Sequence, residues 1–423
     1  MTIVIIGAGA AGCFAAIEVK RRNPDARVIV VEAASKALAK VAITGGGRCN
    51  LTNTFARVNM QAGGLKEVYP RGDKLMRRAL STFSPQDCWT WFEREGVRLV
   101  AQDDECVFPV SQDAMQIVGT LLRLMERLGV ELRLRYKVVS ITPNDSRYTI
   151  AFADANTTPI VADRVLVTAG GQPRAKGFDM LEPLGMKIEA PVPSLFTFNI
   201  SGDWHTRLMG AVVENVVATL AGTKLKASGP LLLTHWGMSG PAILRLSSYA
   251  ARLLAEREYR GMLVVNWLGG LNDEEARAML NDTASANARK LITTTPPRGL
   301  TARFWTLLLE RIGVLTSAMM QGTPPIPRWA ELGKKQAARI VTALTADVHE
   351  ITGRCAFKEE FVTCGGVALS ELNPATMESR RHPGLFFAGE VTDVDAVTGG
   401  FNLQAAWSMG YVAAQHLGEE SAS

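Results

Sequence analysis

The 423-residue sequence has no C-x-x-C pair and no histidine–cysteine cluster at zinc spacing. Its six cysteines, Cys13, Cys49, Cys88, Cys106, Cys355 and Cys364, are scattered. That excludes a disulfide scaffold, argues against a bound metal, and reads as a reducing compartment. Histidine is scarce, with five residues, and neither a Ser-His-Asp order nor a Walker loop is present. No apolar run reaches the ~18 residues of a membrane-spanning helix. The apolar start, Ile3 to Ile17, lacks a basic leader and is interrupted by Gly7, Gly9 and Gly12, so it does not read as a signal peptide. A cytoplasmic location without membrane contact is expected. Neither sign of charge dominates: the net charge is +5, which permits an acidic partner without requiring one. With 47% hydrophobic and 21% charged residues the chain is globular rather than disordered. No internal repeat or low-complexity tract is evident.

The length exceeds what one hydrophobic core supports, so two or three domains are expected. The chain opens on a β-branched run, Ile3-Val4-Ile5-Ile6, followed at once by Gly7-Ala8-Gly9-Ala10-Ala11-Gly12. A helix-forming stretch to Arg22 and a second strand, Arg27 to Val31, come next, with Glu32 closing the strand. Each part has a mechanical purpose. Gly7 permits the tight turn, Gly9 lets the backbone approach a pyrophosphate, and Gly12 lets helix and strand pack closely. The helix start offers free N–H groups to phosphates. Glu32 suits ribose hydroxyls and repels a 2′-phosphate. This strand–turn–helix–strand–acid context marks a dinucleotide site, equally compatible with NAD and FAD.

The far end of the chain favours flavin. Gly384 to Gly389 reads as a strand ending in small residues, with Glu390 placed for ribityl or phosphate-side hydroxyls. Gly399-Gly400-Phe401-Asn402-Leu403 then opens an alanine-rich helix. A glycine pair at a helix start exposes amides that can face the N1–C2=O edge of an isoalloxazine ring. Val165 to Thr168, ending in Ala169-Gly170-Gly171, is a strand with no side chains in a cofactor's way, and the strand at Val138 offers backbone groups to an adenine.

Four blocks carry a family resemblance: the N-terminal fingerprint, Thr44-Gly45-Gly46-Gly47-Arg48-Cys49-Asn50-Leu51-Thr52-Asn53, Leu233 to Pro241, and Gly389 to Gln404. Together they resemble the BaiN/YhiN/RdsA-type flavoproteins of the two-dinucleotide-binding-fold superfamily. The resemblance covers most of the chain and is weakest over about 270–350. It implies an α/β, glutathione-reductase-like Rossmann domain binding FAD, with a large insertion. It places Gly7, Gly9, Ala11, Gly12, Glu32, Lys40, Val138, Glu390, Asn402 and Leu403 on FAD-contact positions. Two positions depart from the family's usual pattern: Leu38-Ala39-Lys40 replaces Gly-Arg-Lys, and Glu105-Cys106-Val107-Phe108-Pro109 replaces Gly-Arg-Val-Phe-Pro.

The expected division is an FAD-binding domain over 1–190 and 365–423, a β-rich substrate domain over 191–271 and 352–364, and a helical insert over 272–351. A helix from Gln112 to Leu128 packs one apolar stripe onto the core, and Glu419 to Ser423 reads as a frayed tail. Only one dinucleotide fingerprint is present, so NADH or NADPH, if used, docks transiently as reductant.

Flavin chemistry on a conjugated C=C bond needs a nearby proton donor. Cys49 is the first candidate, against the plainer reading of a buried thiol filling space. His235 is the second, on a loop before the helix start Ser239-Gly240-Pro241; the competing reading is a hydrogen-bonded structural histidine. Arg48 suits a phosphate or substrate oxygen, or ties loops together. Asn50 and Asn53 suit flavin or substrate, or serve as turn residues. The resemblance implies a reductase of uridine in ribosomal RNA, with a small enone or amine (a dehydro-steroid or aminoacetone) as the alternative acceptor. A non-catalytic FAD-containing RNA-binding or redox-sensing protein, and an NAD-linked dehydrogenase, are the other readings.

Overall fold

The computed structural model describes residues 1–60, 63–172, 174–355 and 362–419. The expected tail beyond residue 419, and residues 356–361 of the expected β-rich domain, lie outside the described residues. The chain forms two compact units, Met1–Pro193 with Val362–Ser423, and Ser194–Phe361.

The first unit is built on a five-stranded sheet whose strands all pair in parallel. Thr2–Ile6 lies at its centre between Arg27–Glu32 and Arg164–Val167. Leu385–Phe387 closes one edge against Arg164–Val167, and Glu131–Leu134 closes the other. The continuous apolar run Ile3 to Ile6 is buried, as a strand covered on both faces demands. Helix Ala10–Arg22 crosses the C-terminal helix Phe401–Leu417 closely, because a side chain on Gly410 would come within 2.9 Å of the Ala11 carbonyl oxygen. Phe14 packs against Trp407 at 5.5 Å between ring centroids. The two ends of the polypeptide therefore share one core. Helix Ala114–Arg127 buries Ala114, Ile117, Val118, Leu121 and Met125 of the expected stripe, adds Leu124, and leaves Leu128 half-buried.

The second unit is a closed six-stranded barrel with helices, and its buried residues form one continuous cluster. Two boundaries differ from the sequence expectation. The helical segment ends earlier than residue 351, because Asp347–Arg354 is a barrel strand with alternating burial that pairs with Gly261–Asn266. The sequence D-V-H-E-I alternates as a strand does, and the helix directly before it hides this period. Similarly, Ile188–Pro193 pairs antiparallel with Thr363–Val367 inside the first unit, so residues 191–193 and 363–364 belong there rather than to the inserted domain.

Candidate dinucleotide site

The glycine fingerprint adopts the geometry its spacing suggests. Gly7 has φ +106°, and a Cβ there would sit 2.4 Å from the Thr168 carbonyl oxygen. A Cβ on Gly12 would sit 2.0 Å from the Gly7 carbonyl oxygen and 2.5 Å from the Thr168 hydroxyl. That hydroxyl donates to the Ile6 and Gly7 carbonyls and fills the space under the turn. Gly9 differs from both: nothing lies within 4 Å of where its Cβ would project. It is the N-cap of Ala10–Arg22 and brings no side-chain cap, so no capping side chain satisfies the first-turn amides of Ala10, Ala11 and Gly12. Room at Gly9 beside the start of a helix fits a pyrophosphate.

The Glu32 carboxylate accepts one hydrogen bond from each of the Ala8 and Ala34 amides, both 2.8 Å, which fixes it at the sheet edge of this turn. Its remaining lone pairs suit ribose hydroxyls. The Tyr136 amide donates to the Glu32 carbonyl, so the strand starting at Val138 runs close by. Lys40 and Glu390 form an ion pair at 3.2 Å, and Glu390 also accepts from the Thr363 amide at 2.8 Å. Gly171 has no room for a side chain, because a Cβ would meet the Glu390 carboxylate at 2.5 Å. Gly170 has open space at its Cβ position, and Ala169 lies between it and Thr168 at the end of the Arg164–Val167 strand.

The glycine triplet ends a kinked helix, Ala39–Gly47, with Gly45, Gly46 and Gly47 all at positive φ. A Cβ on Gly46 or Gly47 would meet nothing within 4 Å, so this stretch is a bare backbone surface. The segment is bound to the start of the C-terminal helix. With its carboxamide turned to satisfy both groups, Asn50 accepts from the Gly400 amide (3.1 Å) and donates to the Thr52 carbonyl (3.0 Å). Asn53 donates to the Gly399 carbonyl at 3.1 Å, and the Trp407 indole donates to the Leu51 carbonyl at 3.0 Å. The Thr52 hydroxyl donates to Gln404 at 2.5 Å, and the Gln404 amide donates to Ser408 at 2.9 Å. Gly400 has to be glycine here: its φ is +86° and a Cβ would lie 2.2 Å from the Thr52 carbonyl oxygen. The bracket leaves the Phe401, Asn402 and Leu403 amides as the first turn of the helix.

Several of the candidate residues have other work in the structure. The Asn402 side chain both accepts from and donates to Ala396, so any cofactor contact it makes runs through its backbone. Arg48 donates to the Gly45 carbonyl at 3.1 Å and stacks on Phe108 at 4.3 Å, which is the loop-tying role. Cys49 is 0% exposed and sits at φ +62°. Burial pushes its thiol up to about 12, against a hydrogen bond with Thr44 that lowers it. A group without surface cannot touch a substrate in this conformation, so the space-filling reading gains. His235 belongs to the second unit. It is exposed on the tight link between strands Lys226–Leu233 and Gly237–Ser239, with its ring edge-on to Trp236 at 4.4 Å. Gly240 and Pro241 start the following helix as expected. The sequence shows Thr52 within a motif without giving it a role, and it does not single out Gln404 or the buried Arg71–Asp395 ion pair. The one signal for Gln404 is a polar residue on an otherwise apolar helix face.

A family model described as the HI0933-like protein Rossmann domain matches residues 1–416. The chain belongs to this family. Its fold is the FAD-binding Rossmann type, with additional sheets. Over nearly their whole lengths, it is similar to two curated relatives. One is the ribosomal RNA dihydrouridine synthase of Escherichia coli, 28% identical over 430 residues, covering 98% of this chain and 97% of the relative. The other is the 3-dehydro-bile acid delta(4,6)-reductase of Clostridium scindens, 27% identical over 425 residues, covering 99% of each. Among solved structures, the 3-ketosteroid delta1-dehydrogenase of Sterolibacterium denitrificans shares the fold, with a TM-score of 0.52, 11% identity and 99% coverage of each chain. No helix among the described residues is long and apolar enough to cross a membrane.

Proposed function

We propose that this protein is an FAD-dependent oxidoreductase that reduces a C=C bond conjugated to a carbonyl, with uridine of ribosomal RNA as acceptor and NADH or NADPH as transient reductant. The carrying observation is the cradle made by both chain ends: an open Gly9 turn, the Glu32 carboxylate, and a bare glycine triplet bracketed to the amides of Phe401, Asn402 and Leu403. Full-length relatives named for two conjugated-bond reductions support the reaction class.

FAD bound in the cradle supplies the hydride. The chain's own residues do the rest. Glu32 selects an unphosphorylated ribose, because a second negative charge beside its carboxylate is repelled. The first-turn amides of the C-terminal helix would hold the flavin and favour negative charge on it. Asn50, Asn53, Thr52 and Gln404 hold the glycine backbone against that helix. Of the two candidate proton donors, His235 is the one whose ring is exposed. Cys49 holds the shape of its loop.

The test is direct. Purified protein should be yellow and bleach on anaerobic mixing with NADH or NADPH. Ribosomal RNA from a deletion strain should lose dihydrouridine by nucleoside mass spectrometry. Unchanged dihydrouridine there, with intact flavin reduction, would favour a small enone as acceptor; the bile-acid relative is the observation behind that second reading.

A further inference from the structure

Two neighbouring stretches of the second unit are rich in cations. Residues 287–292 and 327–339 carry Arg289, Lys290, Arg328, Lys334, Lys335 and Arg339 against a single acid, Glu331. Their surplus equals the net +5 of the whole sequence, so the remainder of the chain is neutral. The two stretches are adjacent. Leu291 and Arg328 form an antiparallel bridge, the Trp329 amide donates to the Lys290 carbonyl at 3.1 Å, and the Ile292 amide donates to the Pro327 carbonyl at 3.0 Å. The short 3-10 helix Trp329–Glu331 then leads into helix Lys334–Thr345. Trp329, stacked on Trp305 at 6.0 Å, anchors this corner to the core of the second unit.

All six cations are exposed, and none is in an ion pair among the described residues. Glu331, the one acid in these stretches, accepts from the Arg328 amide at 2.8 Å. The placement also works against stability. Lys334 and Lys335 occupy the first turn of a helix, where positive side chains oppose the macrodipole. Stability therefore does not explain two lysines there.

We propose that this basic corner of the second unit is the surface on which a folded RNA docks through its phosphates. The proposal rests on the reading of ribosomal RNA as acceptor and adds where the RNA is held. A small enone would gain nothing from six exposed cations on adjacent segments, whereas phosphates released from their counterions gain affinity with each cation they meet.

The test compares the flavin-loaded wild type with a variant carrying R289Q, K290Q, R328Q, K334Q, K335Q and R339Q. Binding of a fluorescein-labelled hairpin RNA is followed by anisotropy across a salt series. The substitutions are all on the surface, so flavin content should match wild type and the melting temperature should not fall below it. The variant should bind at least tenfold more weakly near physiological salt. Its log–log salt slope should be shallower by about 0.7–0.9 for each phosphate it no longer neutralises. Equal affinity and slope would overturn the proposal, as would wild-type binding to vesicles of anionic phospholipid in preference to the RNA. Complementation separates the two readings. If wild type fails to restore dihydrouridine to deletion-strain ribosomal RNA, the acceptor assignment fails. If wild type and variant restore it at equal rates, the acceptor stands and the docking surface fails.

Discussion

Gly9 and Gly12 lie three residues apart in one turn, yet the structure assigns them opposite failures. An added methyl on Gly12 meets a backbone oxygen at 2.0 Å, more than 1 Å inside ordinary contact, and neither the Gly7 carbonyl nor the central strand can give way. Gly12→Ala should therefore push helix Ala10–Arg22 off the sheet, at the ~1–3 kcal/mol typical of overpacking. In a unit of this size that is a loss of about 2–4 °C in melting temperature per kcal/mol. Gly9→Ala meets nothing within 4 Å and has φ −88°, which alanine accepts. Its weaker N-cap costs ~0.5–1 kcal/mol, and the reduced freedom of the unfolded chain returns ~0.4–1 kcal/mol. The apoprotein should melt where wild type does. The methyl nevertheless occupies the volume assigned to the pyrophosphate, so FAD affinity should fall at least tenfold, about 1.4 kcal/mol. Differential scanning fluorimetry of apoprotein and fluorescence titration with FAD read the two quantities separately. If Gly9→Ala binds FAD as tightly as wild type, no dinucleotide crosses that amide and the cradle is wrongly placed.

Further expectations concern the rest of the molecule. Gln404→Leu strands the buried Thr52 hydroxyl, a loss of ~1–3 kcal/mol that Thr52→Val in the same chain should largely restore; thermal melting measures it, and a shifted flavin absorbance band should accompany the single variant. A native thiol titration with a chromogenic disulfide should consume Cys355 first, because the other five cysteines are buried, and Cys49 should react only on unfolding. If His235 supplies the proton, His235→Asn should lower kcat while leaving the bound flavin's spectrum unchanged; an unaltered kcat would exclude it. Cys49→Ala should reduce substrate as fast as wild type if the thiol only fills space.

The fold is legible where the local chain dictates it. The parallel core strands are continuous β-branched runs, and Gly7 and Gly12 are required by contacts within the first twelve residues and with Thr168. The barrel strand Asp347–Arg354 is less legible, because a helix ends directly before it and strand pairing with Gly261–Asn266 decides its state. At the site, glycines can be placed because their absence of a side chain is the signal. The side chains that align the glycines cannot. Thr52 and Gln404 are 352 positions apart, and nothing local to either names its partner. Asn402 is legible as a contact position but not in its manner of contact, since its carboxamide closes the 396–402 turn and only its amide is left to face a ligand.

The second unit keeps a buried ionic cluster whose pH response is opposite to what burial alone would give. Asp347 accepts from the Trp267 indole at 2.9 Å, from Arg311 at 2.5 Å, and lies 2.9 Å from His349, which stacks on Trp204. Burial raises its carboxyl, but hydrogen bonding and charge from His349 and Arg311 outweigh it and hold the group below the usual carboxylate range. A carboxylate depressed on folding contributes stability above its unfolded value, about 3.9, and loses it as pH falls further towards the folded value. The second unit should thus soften in acid below about pH 4. Asp347→Asn removes one partner of a buried pair, so at neutral pH it should cost ~3–5 kcal/mol, and it should also flatten the acid limb. Melting temperature measured from neutral to acidic pH gives both effects at once. A variant as stable as wild type at neutral pH, with an unchanged acid limb, would mean that Arg311 and His349 are satisfied without the carboxylate, and that the cluster is packing rather than charge.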